Sequence, residues 1–276
     1  MRQAFKRFSN TTGLNRLARN IQEIRRDLLR YLDLYTDHFD LRDEIQFQVD
    51  KTARKPFAMF TKKDQDMIRE MDLFIELSAN RKCFLDIGSL YGIFSLAFCS
   101  VSPLGTAYAV EPSPKCQKVL ERNIRLNAKF NIRNSTCAIG SEVGRLSMHH
   151  EWVHYIADHS SFPASRGVPM TTLDDFVKDK GIKPDLIKID VDGYEGPVIK
   201  GALNYLGKNS PIIFLELHGE WIERYGYHPN DLMVMLTDCG YQFFDLQLNH
   251  IDDNQKAFSI FANRIICTKN PDDLKT

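Results

Sequence analysis

No stretch of the chain approaches the roughly 18 consecutive apolar residues that a membrane span requires. No apolar core followed by small residues marks a secretory signal at the N-terminus. Net charge is absent as well: 36 Lys and Arg balance 36 Asp and Glu, so the basic excess of a dedicated nucleic-acid binder is missing. The six cysteines (Cys83, Cys99, Cys116, Cys137, Cys239 and Cys267) form no CxxC pair and no Cys/His cluster. Most lie in apolar stretches, where a thiol behaves as a small hydrophobe. These absences argue against a transmembrane protein, a disulfide scaffold and a zinc module, and they point to the reducing cytoplasm. Repeats and low-complexity tracts are also missing. What is present is ordinary for a soluble globular protein: 276 residues, 43% hydrophobic and 26% charged. That is enough for one large α/β domain with an appendage, or for two small domains.

The texture changes near residue 80. Residues 1–80 read as an N-terminal helical region, and residues 81–276 as the main domain. Residues 1–44 read as helix, because Leu14, Leu17, Ile21, Ile24, Leu28, Tyr31 and Tyr35 recur at spacings of 3 and 4, the seam of a coiled coil. That seam predicts homo-oligomerisation or packing against the main domain. Its basic flank, eight Lys or Arg within residues 1–30, leaves peripheral contact with an anionic membrane or a polyanionic substrate as a further use. Residues 45–80 form a bridge with a short strand, IQFQV, and a second amphipathic helix, KKDQDMIREMDLFIELS.

From Lys82 onward strands and helices alternate. KCFLDIG, TAYAVE, IRNSTCAIG, DLIKIDV, PIIFLEL, YQFFDL and FANRIICTK read as strands. Near-continuous apolar runs among them imply a mostly parallel sheet covered on both faces. GRLSMHH reads as an edge strand. TTLDDFVKDKG reads as a helix opened by a threonine cap, and HPNDLMVMLTDCG as a helix stopped by glycine.

In such a sheet, ligands bind beyond the carboxyl ends of the strands at the switch in strand order. The first strand runs into Asp86-Ile87-Gly88-Ser89-Leu90-Tyr91-Gly92. This is D-x-G-x-x-x-G, not the G-x-G-x-x-G of a dinucleotide site. Without the middle glycine there is less room for a pyrophosphate, which disfavours NAD. Asp86 can accept a hydrogen bond from a ligand ammonium group. Glu111, at the end of the second strand and 19 residues after Gly92, suits the two hydroxyls of a ribose; its bland reading is an acidic strand end in solvent. At the ends of the fourth and fifth strands, Asp190 with Asp192 and Glu216 with His218 share strand faces by the period of two. The four groups therefore converge if the strands are neighbours. Glu195 reads as a helix-start acid rather than a catalyst. His149, His150, His154, His159, Ser160 and Ser161 lie in a loop-rich stretch, 140–167, that reads as a lid or as plain surface.

The blocks DIGSLYGIFSL, VEPSPKCQKVLERNIRLN, CAIGSEVGRLSM, VPMTTLDDFV, DLIKIDVDGYEGPVIKGAL and PIIFLELH resemble, in order and spacing, the FkbM-type methyltransferases. The resemblance covers about residues 82–218. It implies a class I methyltransferase fold, that is, a Rossmann-like doubly wound, mostly parallel seven-stranded sheet. It also implies S-adenosylmethionine as methyl donor, and an O-methyltransferase acting on a sugar, glycan or secondary metabolite. By resemblance, Asp86, Gly88 and Ser89 take the methionine end, Glu111 the ribose, Cys137 and Ala138 the adenine, and Asp190 the methionine moiety. Tyr91, Pro112 and Ser113 complete the cofactor-binding set. Two departures stand out: Leu90 where the family usually has Asn, and Asp192 where it usually has Glu.

Methyl transfer to a hydroxyl needs positioning and a base or metal to activate a poor nucleophile. The expected catalytic groups are His218 as base, Asp192 orienting the hydroxyl, and Glu216 in support. The segment Asp190-Val191-Asp192-Gly193-Tyr194-Glu195 also resembles, more weakly, metal-dependent macrolide and aminocoumarin sugar methyltransferases. By that analogy Asp192 and Glu216 would hold magnesium. Magnesium is poorly served by histidine, so a metal is not favoured. The other readings are N-methylation of a small molecule, protein or nucleobase, disfavoured by the lack of an N/D-P-P-Y/F loop after the fourth strand, and a non-catalytic binding protein that keeps the fold.

Overall fold

The computed structural model describes residues 20–30, 34–151, 154–158, 167–251 and 263–275. In the N-terminal region the expected helix over residues 1–44 gives way to strand: among the described residues, 20–30 are helical (α1). Thr36–Arg42 (β1) and Ile45–Asp50 (β2) then pair as an antiparallel hairpin. Period two wins here: Phe39 and Leu41 face inward while His38 and Asp40 face out. Tyr35 lies beyond α1; its ring is held by Arg30 and Lys51, at 5.5 and 5.9 Å. Leu14, Leu17 and Tyr31 of the seam lie outside the described residues. Ile21, Ile24 and Leu28 are bare, at 57, 68 and 56% exposure, so none of these three packs against the main domain. α1 is tied to the body at its end instead: Arg30 donates to buried Asp50 (2.8 Å) and to Thr52 (2.8 Å), and Arg122 donates to the Arg30 carbonyl (2.5 Å).

A short helix, Arg54–Phe57 (α2), and a π-helical turn lead to α3, Gln65–Ser78. Asp64 caps α3 by accepting from the backbone N–H groups of Asp66 and Met67. The inward stripe of α3 carries Met71, Phe74 and Leu77, and one core runs without a break from the hairpin to the sheet. The ring of Phe74 meets those of Phe84, Phe94 and Phe214 edge-on at 5.0, 4.9 and 5.3 Å. The change of texture near residue 80 therefore marks a turn, at Asn80 with φ +65°, within one packed body.

The main sheet contains Cys83–Ile87 (β3), Thr106–Val110 (β4), Ile132–Ser135 (β5), Leu186–Ile189 (β10), Ile212–Leu217 (β11), Gln242–Phe244 (β12) and Asn263–Thr268 (β13). Their order is β12-β13-β11-β10-β3-β4-β5. The five strands from β11 to β5 run parallel, and β13 is antiparallel to both neighbours. This is the seven-stranded, doubly wound, mostly parallel sheet expected from the sequence. The chain winds outward from β3 to β5 and then returns to β10 on the other side of β3, so the switch in order lies between β3 and β10. Helices Ile93–Val101 (α4), Pro114–Leu126 (α5), Leu173–Lys180 (α6), Glu195–Lys200 (α7), Leu203–Lys208 (α8), Gly219–Glu223 (α9) and Pro229–Asp238 (α10) complete the chain of connections.

The stretch read as a loop-rich lid holds regular structure. Ala138–Ile139 (β6), Gly144–Glu151 (β7), His154–Asp158 (β8) and Val168–Thr171 (β9) form a separate four-stranded sheet. His149, His150 and His154 pair with Ile156, Tyr155 and Glu151 across the β7–β8 ladder. His159, Ser160 and Ser161 lie outside the described residues.

Phe74 is the side chain through which α3 joins the sheet. Phe74→Ala should destabilise the protein by about 3–5 kcal/mol, the range for a buried phenylalanine, read as a lower urea midpoint with an unchanged slope.

Candidate active site

The loop after β3 is built by backbone conformation. Gly88, Leu90 and Gly92 have φ of +82, +48 and +84°, the left-handed region that L side chains resist. A Cβ on Gly88 would collide with the Asp190 carbonyl oxygen, so this loop and the one after β10 lie against each other. A Cβ on Gly92 would press on Leu120 of α5, so this glycine lets α5 pack closely on the loop. Leu90 stands where Asn is usual, and asparagine tolerates left-handed backbone far better. Leucine here costs about 1–3 kcal/mol of local strain. The same reasoning covers Asp192, at φ +51°, where aspartate suits the turn better than glutamate.

Three groups at this edge are buried. Asp86 accepts from the Ser95 hydroxyl at 2.7 Å. Burial pushes its pKa up to about 6, against the lowering effects of Ser95 and Lys188. Glu111, 5% exposed, accepts from the backbone N–H groups of Leu90 (2.9 Å) and Ser113 (2.8 Å), one on each oxygen. Burial lifts its pKa to about 8 although both hydrogen bonds oppose that. It is not the solvated strand end of the bland reading. The Ser89 hydroxyl is buried and has no hydrogen-bond partner among the described residues. A buried polar atom without a partner inside a protein is what a ligand's polar group would satisfy.

The remaining cofactor candidates are spread around this edge. Ser113 caps α5 by accepting from Cys116 N–H, and Pro112 joins it to Glu111. Tyr91 is half-buried, and its carbonyl accepts from Asn123 (2.9 Å). Cys137 is half-buried, with its thiol pKa raised by burial. Ala138 is buried on β6.

On the other side of the switch, the period-two argument for the acids does not hold, because β10 ends at Ile189 and β11 at Leu217. Asp190, Asp192 and His218 lie in the turns beyond. They converge nonetheless. His218 Nε2 is 3.8 Å from Asp190, 3.7 Å from Asp192 and 3.8 Å from Glu216. Its Nδ1 is 2.8 Å from Glu195, which is fully buried. Burial would lower the imidazole pKa, but the bond to Glu195 and the charges of Glu195, Asp190 and Glu216 outweigh it and raise it to about 9. Glu195 also accepts from Gly193 N–H (3.1 Å), so it closes the turn and orients the histidine together. Trp221 stacks on the His218 ring at 5.9 Å and 16°.

Glu216 borders this group from its buried side, with Oε1 3.8 Å from His218 Nε2, and faces two further cations. It accepts from Arg264 at 2.7 Å and lies 3.6 Å from Lys188. Among the described residues, the candidate metal-ligand atoms that lie within 4.8 Å of one another belong to Asp190, Asp192 and His218. A cation held here would therefore meet a histidine in place of Glu216.

The sequence reading passed over Lys188, Glu70 and Arg264. Lys188 is 1% exposed in the central strand, with its ammonium 3.1 Å from Glu70 and 3.4 Å from Asp190. The signal was available: a lysine inside the apolar run of DLIKIDV must be paired to be buried, and Glu70 lies on the inward stripe of α3.

A family model described as the methyltransferase FkbM domain matches residues 86–243. The hexuronic acid methyltransferase AglP of Haloferax volcanii is 25% identical over 192 residues, which is 69% of this chain and 74% of that protein. Among solved structures, the methyltransferase FkbM of Methylobacillus flagellatus is 15% identical with a TM-score of 0.45, covering 79% of this chain; this chain spans 55% of its length. The fibrillarin pre-rRNA processing protein of Methanococcus jannaschii is 13% identical with a TM-score of 0.44, covering 84% of this chain and 82% of that one. The match over more than half of its length identifies the chain as a member of the FkbM methyltransferase family, an S-adenosylmethionine-dependent methyltransferase of class I fold.

Proposed function

We propose that the protein is an O-methyltransferase that acts on a hydroxyl of a sugar or glycan. One observation carries the reading: the donor loop at Gly88 rests against Asp190, which brings the unpartnered Ser89 hydroxyl to the same edge as the Asp190–Asp192–His218 group. The hexuronic acid specificity in the name of the Haloferax relative supports a carbohydrate acceptor.

In this reading Asp86, Gly88, Ser89 and Asp190 hold the methionine end of the donor, Glu111 the ribose, and Cys137 and Ala138 the adenine, with Tyr91, Pro112 and Ser113 around them. S-adenosylmethionine supplies an already activated methyl group, so the protein's work is to position and deprotonate the acceptor. His218 receives the hydroxyl proton on Nε2, Asp192 orients the hydroxyl, and Glu195 holds the imidazole from behind. With its pKa near 9, only about 1% of the imidazole is neutral at pH 7. A base so held is strong but scarce. Glu216 supports the group from the buried side.

The bare residues Ile21, Ile24 and Leu28 on α1 support pairing of two chains through the N-terminal helix, since apolar spacing of 3 and 4 suits a second helix of the same kind.

Adenosylhomocysteine should bind in calorimetry and NAD should not. Glu111→Ala should weaken binding by about 1–3 kcal/mol, the cost of leaving the ribose hydroxyls without their partner; wild-type affinity would take Glu111 out of the site. Because the free Glu111 pKa is raised to about 8, its ionisation opposes folding. The stability it contributes is complete below the ordinary carboxylate pKa and is lost as pH rises through about 8. Glu111→Gln should flatten that part of the stability–pH curve.

With an acceptor found by screening nucleotide sugars and uronic-acid glycans against labelled donor, turnover should rise with pH up to about 9. His218→Ala should lose about 10²–10⁴-fold, and EDTA should leave the wild type active. Activity abolished by EDTA and restored by magnesium would overturn the metal-free base.

Light scattering should give twice the single-chain mass for the wild type and the single-chain mass for Ile24→Glu/Leu28→Glu. A wild-type monomer ends the pairing proposal.

A further inference from the structure

The family match runs from Asp86 to Phe243, yet two charged residues outside it reach the active site from opposite ends of the chain. Glu70 comes from α3 and Arg264 from β13. Glu70 is 1% exposed and divides its carboxylate between two cations: Oε1 lies 3.1 Å from Lys188 Nζ, and Oε2 accepts from Arg264 Nε at 3.0 Å. Glu216 does the same, with Oε2 3.6 Å from Lys188 Nζ and Oε1 accepting from Arg264 Nη2 at 2.7 Å. The four groups form a closed ring of alternating sign.

Asp190 meets this ring at Lys188, whose Nζ lies 3.4 Å from its Oδ2, and beside Glu216, while its Oδ1 faces His218. Its side chain is 33% exposed, whereas those of Lys188, Glu70 and Glu216 are 1, 2 and 7% exposed. Asp190 is thus the member that opens to the site, and the others lie behind it.

A buried ion network is weak evidence for a stabilising role, because well-packed apolar residues of similar volume often do as well or better. What a complete network does is hold its members in one geometry. Lys188 has three acid neighbours. If Glu70 is neutral, the charge of Lys188 is balanced by Asp190 and Glu216 alone, and the ammonium draws Asp190 inward and away from the ligand edge.

We infer that Glu70 and Arg264 are positioning residues for methyl transfer: through Lys188 they hold the Asp190 carboxylate in the orientation that receives the amino-acid end of the donor. This rests on the reading above that Asp190 lies at the methionine moiety. It gives the N-terminal region a part in the active site besides covering the sheet.

The test compares two ligands by calorimetry. Adenosylhomocysteine carries the amino-acid end; methylthioadenosine has the same nucleoside and sulfur without it. Glu70→Gln, which keeps the shape and removes the charge, should weaken adenosylhomocysteine about tenfold or more, the scale of a lost charge-assisted hydrogen bond, and leave methylthioadenosine unchanged. Glu70→Asp should recover part of the loss. If Glu70→Gln does not fold, Glu70→Leu/Arg264→Met removes one charge of each sign and should fold with the same selective loss. Unchanged affinity for both ligands, or an equal loss for both, overturns the inference and leaves the ring a purely structural device. Failure of the wild type to bind adenosylhomocysteine at all would instead remove the donor site itself.

Discussion

A lysine buried in the middle of a parallel sheet must be neutralised where it lies, and much of this molecule is arranged around that requirement. Lys188 is closed off from solvent on β10, beside the switch in strand order. An unpaired ammonium there would cost several kcal/mol. It therefore draws acids from three directions: Glu70 from the helix on one face, Glu216 from the next strand, and Asp190 from the turn just beyond its own strand. Its pKa stays raised, because those acids outweigh the burial that would lower it. Arg264 then compensates the surplus of acid. Helix α3, the antiparallel strand β13 and the turn after β10 are tied to one charge.

The chemistry collects where the chain breaks regular structure. The turns after β3 and β10 both pass through left-handed backbone, at Gly88, Leu90 and Gly92 on one side and at Asp192 and Gly193 on the other. Such turns let the two loops meet, with Gly88 against the Asp190 carbonyl, and they aim side chains outward from the strand ends. The two departures from the family pattern, Leu90 and Asp192, both fall at these strained positions. There the backbone constrains residue choice in addition to any contact the side chain makes.

The acids at this edge are held in unequal environments. Glu111 and Asp86 sit in burial that raises their pKa values. Asp190 is held low, near 2: burial alone would raise it, but Lys188 and His218 prevail. His218, among acids, is held high. One edge of one sheet thus carries carboxyl groups that are neutral and ionised at the same pH. The proposed transfer of a methyl group to a hydroxyl draws on that separation.

Much of this was legible in the sequence, because it depends on local rules. Alternating apolar runs specified the doubly wound sheet, the D-x-G-x-x-x-G loop and the acid after the second strand fall at the carboxyl edge of that sheet, and six motif blocks in register named the family. The strand at Thr36–Arg42 is legible as well, since Phe39 and Leu41 alternate with polar His38 and Asp40. What the sequence could not decide is pairing across the chain. That Glu70 and Arg264, 194 positions apart, meet Lys188, Asp190 and Glu216 in one cluster follows from α3 packing on the sheet and β13 inserting antiparallel beside β11. Likewise Glu195 reads from sequence as a helix-start acid, and only the turn geometry brings it to His218. Local periodicity reports which face is buried; which charges meet inside is set by the three-dimensional packing, because burial and distance together determine what an ion pair is worth.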